Sequence, residues 1–499
     1  MTVRKKRCPR SDSSWLDSVV EGPDTGYSGQ FFLWQGGAGS PCGSPLDLYL
    51  SIYRIRLGCA CTRRPRNQRK KRNIMHILNA RLRGETTLVD IEIEGERIAR
   101  ITPVPETREH APRPGDYDAA GRLVTPQFVE AHIHLDYANT EGVPRENESG
   151  TLFEAIEIWG ERKRLGLHTK EDIKVKALAA ARRAAEHGVG FIRTHVDVTD
   201  PSFAGFEALA ELRDEIRPWC DLQIVAFPQN GIYAFAGGDK LMERAMDAGA
   251  DVVGGIPHLE PTREAGVASL AWLFDLAEKH SAPIDVHTDE IDDPHSRFVE
   301  VMAAEAAKRS MGEQTVVSHS VAMAYYSPGY IARLMPKLAA AKVRFAVCPN
   351  ENLHLQGLGF SGPVPRGVAP VKTLTEYGIP VSFCQDSMSD PFYPMGDGDL
   401  LRILDSGLHV SHMLTPQHLP TALDFITSNP AGNLGMTDHD IAEGRAANLL
   451  VLDATDDREA VQTKASVLLS IHRGTEVLRR EPSAPTWTIE DGTPGNDPA

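Results

Sequence analysis

What most constrains the fold of this chain is a rhythm. Eight short apolar segments recur across its middle: "FVEAHIHLD", "VGFIRTHVDV", "DLQIVAFPQ", "DVVGGIPHLE", "PIDVHTDE", "TVVSHS", "VRFAVCPN" and "PVSFCQD". Between most of them lie stretches with helical spacing, such as "FEALAELRDEIRPW", "VASLAWLFDLAEKH" and "RFVEVMAAEAAKRS". Strands that alternate with helices run parallel, because each helix carries the chain back across the sheet. Eight such units over about 300 residues predict an α/β fold, a (β/α)8 barrel of the TIM type. The rival is an open doubly wound sheet, but its dinucleotide fingerprint, G-x-G-x-x-G after the first strand, is missing.

Nearly every segment ends in a residue able to do chemistry. These are His132 and His134, His195 and Asp197, Gln229, His258 and Glu260, His287 and Glu290, His319, Asn350, and Asp386. In a barrel they converge on the mouth at the C-terminal ends of the strands, whereas in an open sheet they would spread along an edge. One histidine at a strand end is more often a hydrogen-bonded structural residue than a ligand. Five strands doing this together predict a site.

The flanks read differently. Residues 75–128 and 437–490 hold short alternating strands with turn residues between them, predicting one small β-sandwich made from both ends beside a barrel over 129–436. Residues 1–74 carry 14 Lys and Arg against 5 Asp and Glu and show no sustained periodicity. They read as a disordered basic extension, or as translation from a start upstream of Met75. The full chain has a formal net charge of −15, which repels polyphosphate and argues against a nucleic-acid partner. No run of about 18 apolar residues is present to span a membrane. Only Cys220, Cys348 and Cys384 lie beyond residue 74, too few for a disulfide framework, so a cytoplasmic enzyme is expected.

His132 and His134 are one residue apart on a strand, so their side chains share a face. With His287 and the carboxylate of Asp386 they offer three nitrogens and an anionic oxygen, a set suited to zinc or iron(II). Such a metal lowers the pKa of a bound water toward about 7. A closed structural zinc site would favour cysteines, and none is expected near these residues.

The pattern H-x-H, then H, then D on barrel strands resembles the amidohydrolase superfamily, and within it the bacterial type of cytosine deaminase. The resemblance runs through "FVEAHIHLDYANT", "SGTLFEAIEIW", "RTHVDVTD", "DLQIVAFPQNGI", "ADVVGGIPHLEPTREAGV", "IDVHTDEIDDPHSRFVE", "SHSVAMAYY", "NLHLQG" and "DPFYPMGDGD". It covers the chain from about Met75 onward. It implies that His132, His134, His287 and Asp386 hold one divalent ion, Fe2+ or Zn2+. Glu290 then shuttles protons, His319 assists at the attacking water, and Asp386 takes its remaining proton. Gln229 would read the edge of a pyrimidine, and the backbone of Leu152 would touch the ring. The implied reaction turns cytosine into uracil and ammonia, and the implied assembly is a homo-oligomer. Single-metal members lack a carboxylated lysine, and none ends "DVVGGIPHLE".

One position departs from the pattern. The family reads His-Asp-Asp at the eighth strand; here it is Gln385, Asp386, Ser387. Losing a carboxylate beside the substrate removes an acceptor and enlarges the pocket, so Ser387 can move the preferred substrate. The alternatives are 5-methylcytosine, isoguanine or an aminotriazine. A catalytically silent binding protein on this fold is a further reading, although all the ligands and Glu290 are in place. "HLQG" and "DPFYPMG" are expected to shape the pocket, with His195 and His258 lining or supporting it.

Overall fold

The computed structural model describes residues 16–18, 31–33, 74–104, 115–362 and 364–483. The expectation for residues 1–74 falls largely outside these. Two three-residue strands there, Leu16–Ser18 and Phe31–Leu33, pair antiparallel.

Each of the eight apolar segments forms a strand: Phe128–Ile133, Val189–Asp197, Asp221–Phe227, Val252–Gly255, Ile284–Thr288, Thr315–His319, Arg344–Val347 and Val381–Phe383. They pair in chain order and in parallel. The first and eighth strands then meet. Asp386 N–H donates to the His132 carbonyl at 3.0 Å, and His134 N–H donates to the Asp386 carbonyl at 2.8 Å. The ring is a (β/α)8 barrel, as the rhythm predicts.

The helices dock as their sequences dictate. Arg263–His280 starts at Thr262, whose hydroxyl accepts from Ala265 N–H, and it buries Leu270, Leu273, Phe274 and Ala277, a stripe at spacings of three and four. It packs directly on the fourth strand. A Cβ on Gly255 would lie 2.4 Å from Leu273 Cδ1, which is why "VVGG" ends in residues without side chains.

The chain's two flanks share a second sheet. Its order is Thr475–Arg479, Val467–His472, Leu449–Leu452, Leu123–Pro126, Ile74–Leu82, Leu88–Glu94, Arg97–Pro103, with Tyr117–Asp118 paired to Ile74–Leu82. The unit expected as a sandwich is thus one continuous mixed sheet built from both ends. Period-two alternation divides its side chains. Leu449 and Val451 join the sheet's own core with Ile77, Ile91 and Ile471, while Leu450 and Leu452 join the barrel core. Among the described residues no helix is long and apolar enough to cross a membrane. Cys220, Cys348 and Cys384 are free and buried.

Candidate active site

The two histidines of the first strand face one point. Nε2 of His132 and Nε2 of His134 each lie 3.6 Å from Oδ1 of Asp386, and Nε2 of His134 lies 3.0 Å from Nε2 of His287. The strand is bulged here, with the step from Glu130 to Ile133 facing the shorter step from Ile192 to Thr194. Asp386 reaches the point from a left-handed backbone, φ 72°, a conformation that non-glycine residues adopt at a cost. A tetrahedral ion with bonds of about 2.0–2.1 Å sets its ligands about 3.3 Å apart, so this spacing fits a divalent cation.

The donors' chemistry fits as well. Burial disfavours imidazolium, pulling His132 down to about 4 and His134 and His287 well below the ordinary value. Neutral rings are what a metal requires. A buried chain fixes the tautomer of His132. Arg193 donates to Asp285 at 3.0 Å, and Ser318 donates its hydroxyl to Asp285 at 2.6 Å. The Ser318 oxygen, 3.0 Å from His132 Nδ1, is left to accept. The proton therefore sits on Nδ1, and Nε2, which has no hydrogen-bond partner among the described residues, presents its lone pair.

Glu290 stands beside this cluster. Its Oε1 is 3.4 Å from Nδ1 of His319 and accepts from Asn352 Nδ2 at 3.3 Å. His319 Nδ1 is also 3.6 Å from Oδ2 of Asp386. The loop carrying Glu290 is locked by Asp289, whose carboxylate accepts from Ser296, Phe298 N–H and Val299 N–H. Burial, then the charge of Asp386, pushes the Glu290 carboxyl well above its usual range. A raised carboxyl binds a proton more strongly than usual, which suits a group that takes one up and hands it on.

A narrow cavity opens beside these groups, lined by Leu152, Phe227, Gln229, His287, Glu290 and Glu351 among others. Leu152 is the first residue of the helix Leu152–Arg164. That helix is pinned to the second strand by Asp197, which accepts from Lys163 Nζ at 2.6 Å and Trp159 Nε1 at 2.9 Å. Phe392, from "DPFYPMG", joins the lining because Asp390 accepts the N–H groups of Met388, Phe392 and Tyr393 and so folds that loop. His195 and His258 do not line the cavity. His195 is fully buried against His132, ring centroids 4.0 Å apart.

Three residues change the picture drawn from sequence. Ser387 does not face the cavity; it is fully buried and donates to Glu351 Oε1 at 3.0 Å. Glu351, absent from the sequence reading, lines the cavity instead. Cys348, from a residue type not expected here, stands with His132, His319 and Asp386. Glu130 is a further omission: its carboxylate accepts from His132 N–H and Gln385 N–H, clamping the seam where the candidate metal ligands of the first and eighth strands meet.

Asp136, just past the ligand pair, carries a testable pH effect. Its Oδ2 accepts from Asp197 N–H at 2.9 Å, Oδ1 has no partner among the described residues, and burial lifts the group to about 8. The unfolded carboxyl ionises near its ordinary value, about 3.9, so between there and about 8 the folded state holds an extra proton. Stability therefore falls as pH rises through that window. Asp136→Asn removes the titration and is expected to gain on the wild type by roughly 1.4 kcal/mol per pH unit across it. Denaturant unfolding of both proteins at several pH values measures this; parallel curves would remove Asp136 from the account.

Residues 117–478 match the family model described as amidohydrolase family. The chain belongs to the amidohydrolase family. Its fold overlays 5-methylcytosine deaminase from Klebsiella pneumoniae liganded with 5-fluorocytosine at a TM-score of 0.81 and 48% identity, covering 83% of this chain and 99% of that one. The same protein liganded with phosphonocytosine gives 0.80 at 48% identity, covering 83% of this chain and all of that one (100%). N-isopropylammelide isopropyl amidohydrolase of Pseudomonas sp. (strain ADP) is 28% identical over 412 residues, 81% of this chain and 97% of that enzyme. The resemblance read from the strand-end motifs holds, and this amidohydrolase has its buried His and Asp cluster where the barrel opens.

Proposed function

We propose that this amidohydrolase hydrolytically deaminates a cytosine-type base, with 5-methylcytosine preferred, giving thymine and ammonia. One observation carries the reading: Gln229 and Glu290 line the same cavity as His134, His287 and Asp386, and His132 stands in one cluster with His134 and His287. The relative named a 5-methylcytosine deaminase, 48% identical, supports the choice of ring. A divalent ion held by those four residues, Fe2+ or Zn2+, would supply an activated water at neutral pH.

The chain's own groups do the rest. Gln229 pairs with the amide-like edge of the ring, and Leu152 limits the cavity against it. Glu290 takes a proton at Oε1 from the attacking water and delivers it to the ring nitrogen beside the amino-bearing carbon, which makes that carbon electrophilic. His319, 3.4 Å from Glu290, steadies the attacking oxygen. The second water proton passes by Asp386 to the amine; the carbon–nitrogen bond breaks, and the carbonyl forms. The two water protons end on the ring nitrogen and on ammonia, so the equation balances. The same reading makes the protein a cytoplasmic homo-oligomer acting on a small nucleobase, without nucleic acid or membrane as partner.

The test is ammonia release from 5-methylcytosine, cytosine, isoguanine and an aminotriazine, using protein of measured metal content. The triazine is included because of the 28% identical relative. A kcat/KM for 5-methylcytosine at least about tenfold above that for cytosine is expected, the discrimination one methyl group can supply. Ammonia from the triazine or isoguanine alone would move the substrate, and silence across the panel would sink the deaminase reading.

A further inference from the structure

The cavity holds an acidic side chain with no part in the proposed steps, its carboxyl pushed well above the usual range by burial and then by the charges of Asp386, Asp390 and Glu290. Glu351 sits in the first turn of the short helix Pro349–Leu355, directly after the seventh strand, and is 3% exposed. Its Oε1 accepts the Ser387 hydroxyl at 3.0 Å, while its Oε2, also buried, has no partner among the described residues. Leaving such an oxygen unpaired is costly, and protein interiors rarely do so without a reason. Glu351 is also one of the residues lining the cavity.

The barrel's order says which part of a ligand that oxygen would meet. Gln229 follows the third strand and Glu351 the seventh, four strands apart in a ring of eight, so the two stand on opposite sides of the mouth. In a cytosine ring N1–H and C2=O form one edge, and the carbon bearing the amino group lies across the ring from N1. If Gln229 holds the first edge, the amino group points across the mouth.

We propose that Glu351 is a specificity-determining residue whose free oxygen hydrogen-bonds the amino group to be expelled, and that Ser387 positions it. This rests on the deaminase reading and extends it. The substrate class it selects is a ring whose leaving group is an amine carrying N–H. It also gives Ser387 a physical reason. With the Ser387 oxygen 3.0 Å from Oε1 of Glu351, an aspartate at 387 would set two carboxylates against each other in a buried space. A serine donates there instead. The carboxylate that the family pattern carries at 387 is thus supplied from 351.

The test uses metal-loaded protein and two ligands: 5-methylcytosine as substrate, and 5-methylpyrimidin-2-one, the same ring with hydrogen in place of the amino group, as competitive inhibitor. Glu351→Gln and Glu351→Ala are expected to lower kcat/KM for 5-methylcytosine at least about thirtyfold, the scale of a lost charged hydrogen bond, with the inhibitor's Ki changed by less than about threefold. Ser387→Asp alone is expected to be as impaired, and Glu351→Ala/Ser387→Asp to recover at least about tenfold over Glu351→Ala, a coupling that independent sites do not show. Equal losses in kcat/KM and Ki, loss of metal from Glu351→Gln, near-wild-type turnover by that variant, or a double variant no better than Glu351→Ala would each overturn the proposal. A wild type silent on every cytosine-type base would instead overturn the deaminase reading, and this inference with it.

Discussion

Glu290→Gln should yield a folded protein that keeps its metal and turns over its best substrate about a thousandfold more slowly, the scale of a positioned proton-transfer group. Glutamine has almost the same shape and can still accept from Asn352 Nδ2, so the loop held by Asp289 has no reason to move. What it cannot do is take a proton and give it up. The loss should therefore fall on kcat, with KM changed little, because the group acts in the transition state rather than in binding. The pH profile gives a second reading. If the raised Glu290 carboxyl controls the rate, its limb should disappear from the profile of the residual activity. Metal content and unfolding midpoint equal to wild type would make the comparison clean. A variant retaining a tenth or more of wild-type kcat would remove Glu290 from proton transfer.

The sequence made some of this site legible and hid the rest, for reasons that follow from what a strand pattern records. Alternation along one strand places His132 and His134 on a common face, and the rhythm of eight units says that His287 and Asp386 end at the same mouth. Those inferences need only local periodicity and a closed ring. Glu351 was not legible. In "CPNENLHLQG" an acid inside a short polar run reads as a solvated helix face, and only the packing of the loop after the seventh strand against the eighth shows it to be buried on Ser387. Glu130 was hidden for a related reason, since its two partners belong to different strands that meet only when the barrel closes. The same closure brings Cys348 beside Asp386, although 38 residues separate them in the chain. Ser387 shows the converse error. Its position next to a ligand suggested contact with substrate, but the side chain is directed at a neighbouring acid.

The other large effect concerns the ligand set. His287→Ala should abolish both tight metal binding and turnover, whereas Ser318→Ala, one step removed, should weaken metal affinity by about 10–100-fold and leave activity recoverable in excess metal. The contrast tests what each residue is for. His287 contributes the nitrogen 3.0 Å from that of His134, and without it two imidazoles and one carboxylate remain. Ser318 contributes no ligand; it fixes which nitrogen of His132 keeps the proton. Thermal stability supplies a readout independent of activity. Because an ion that binds only the folded state stabilises it by mass action, free metal at 1,000 times its dissociation constant should add about 4 kcal/mol. Wild type should therefore show a metal-dependent rise in Tm that chelation reverses, Ser318→Ala the same rise displaced to higher metal concentration, and His287→Ala none. A His287→Ala protein that still binds one ion per chain tightly would mean that the ion sits elsewhere. Cys348, grouped with His132, His319 and Asp386, would then be the first ligand to replace.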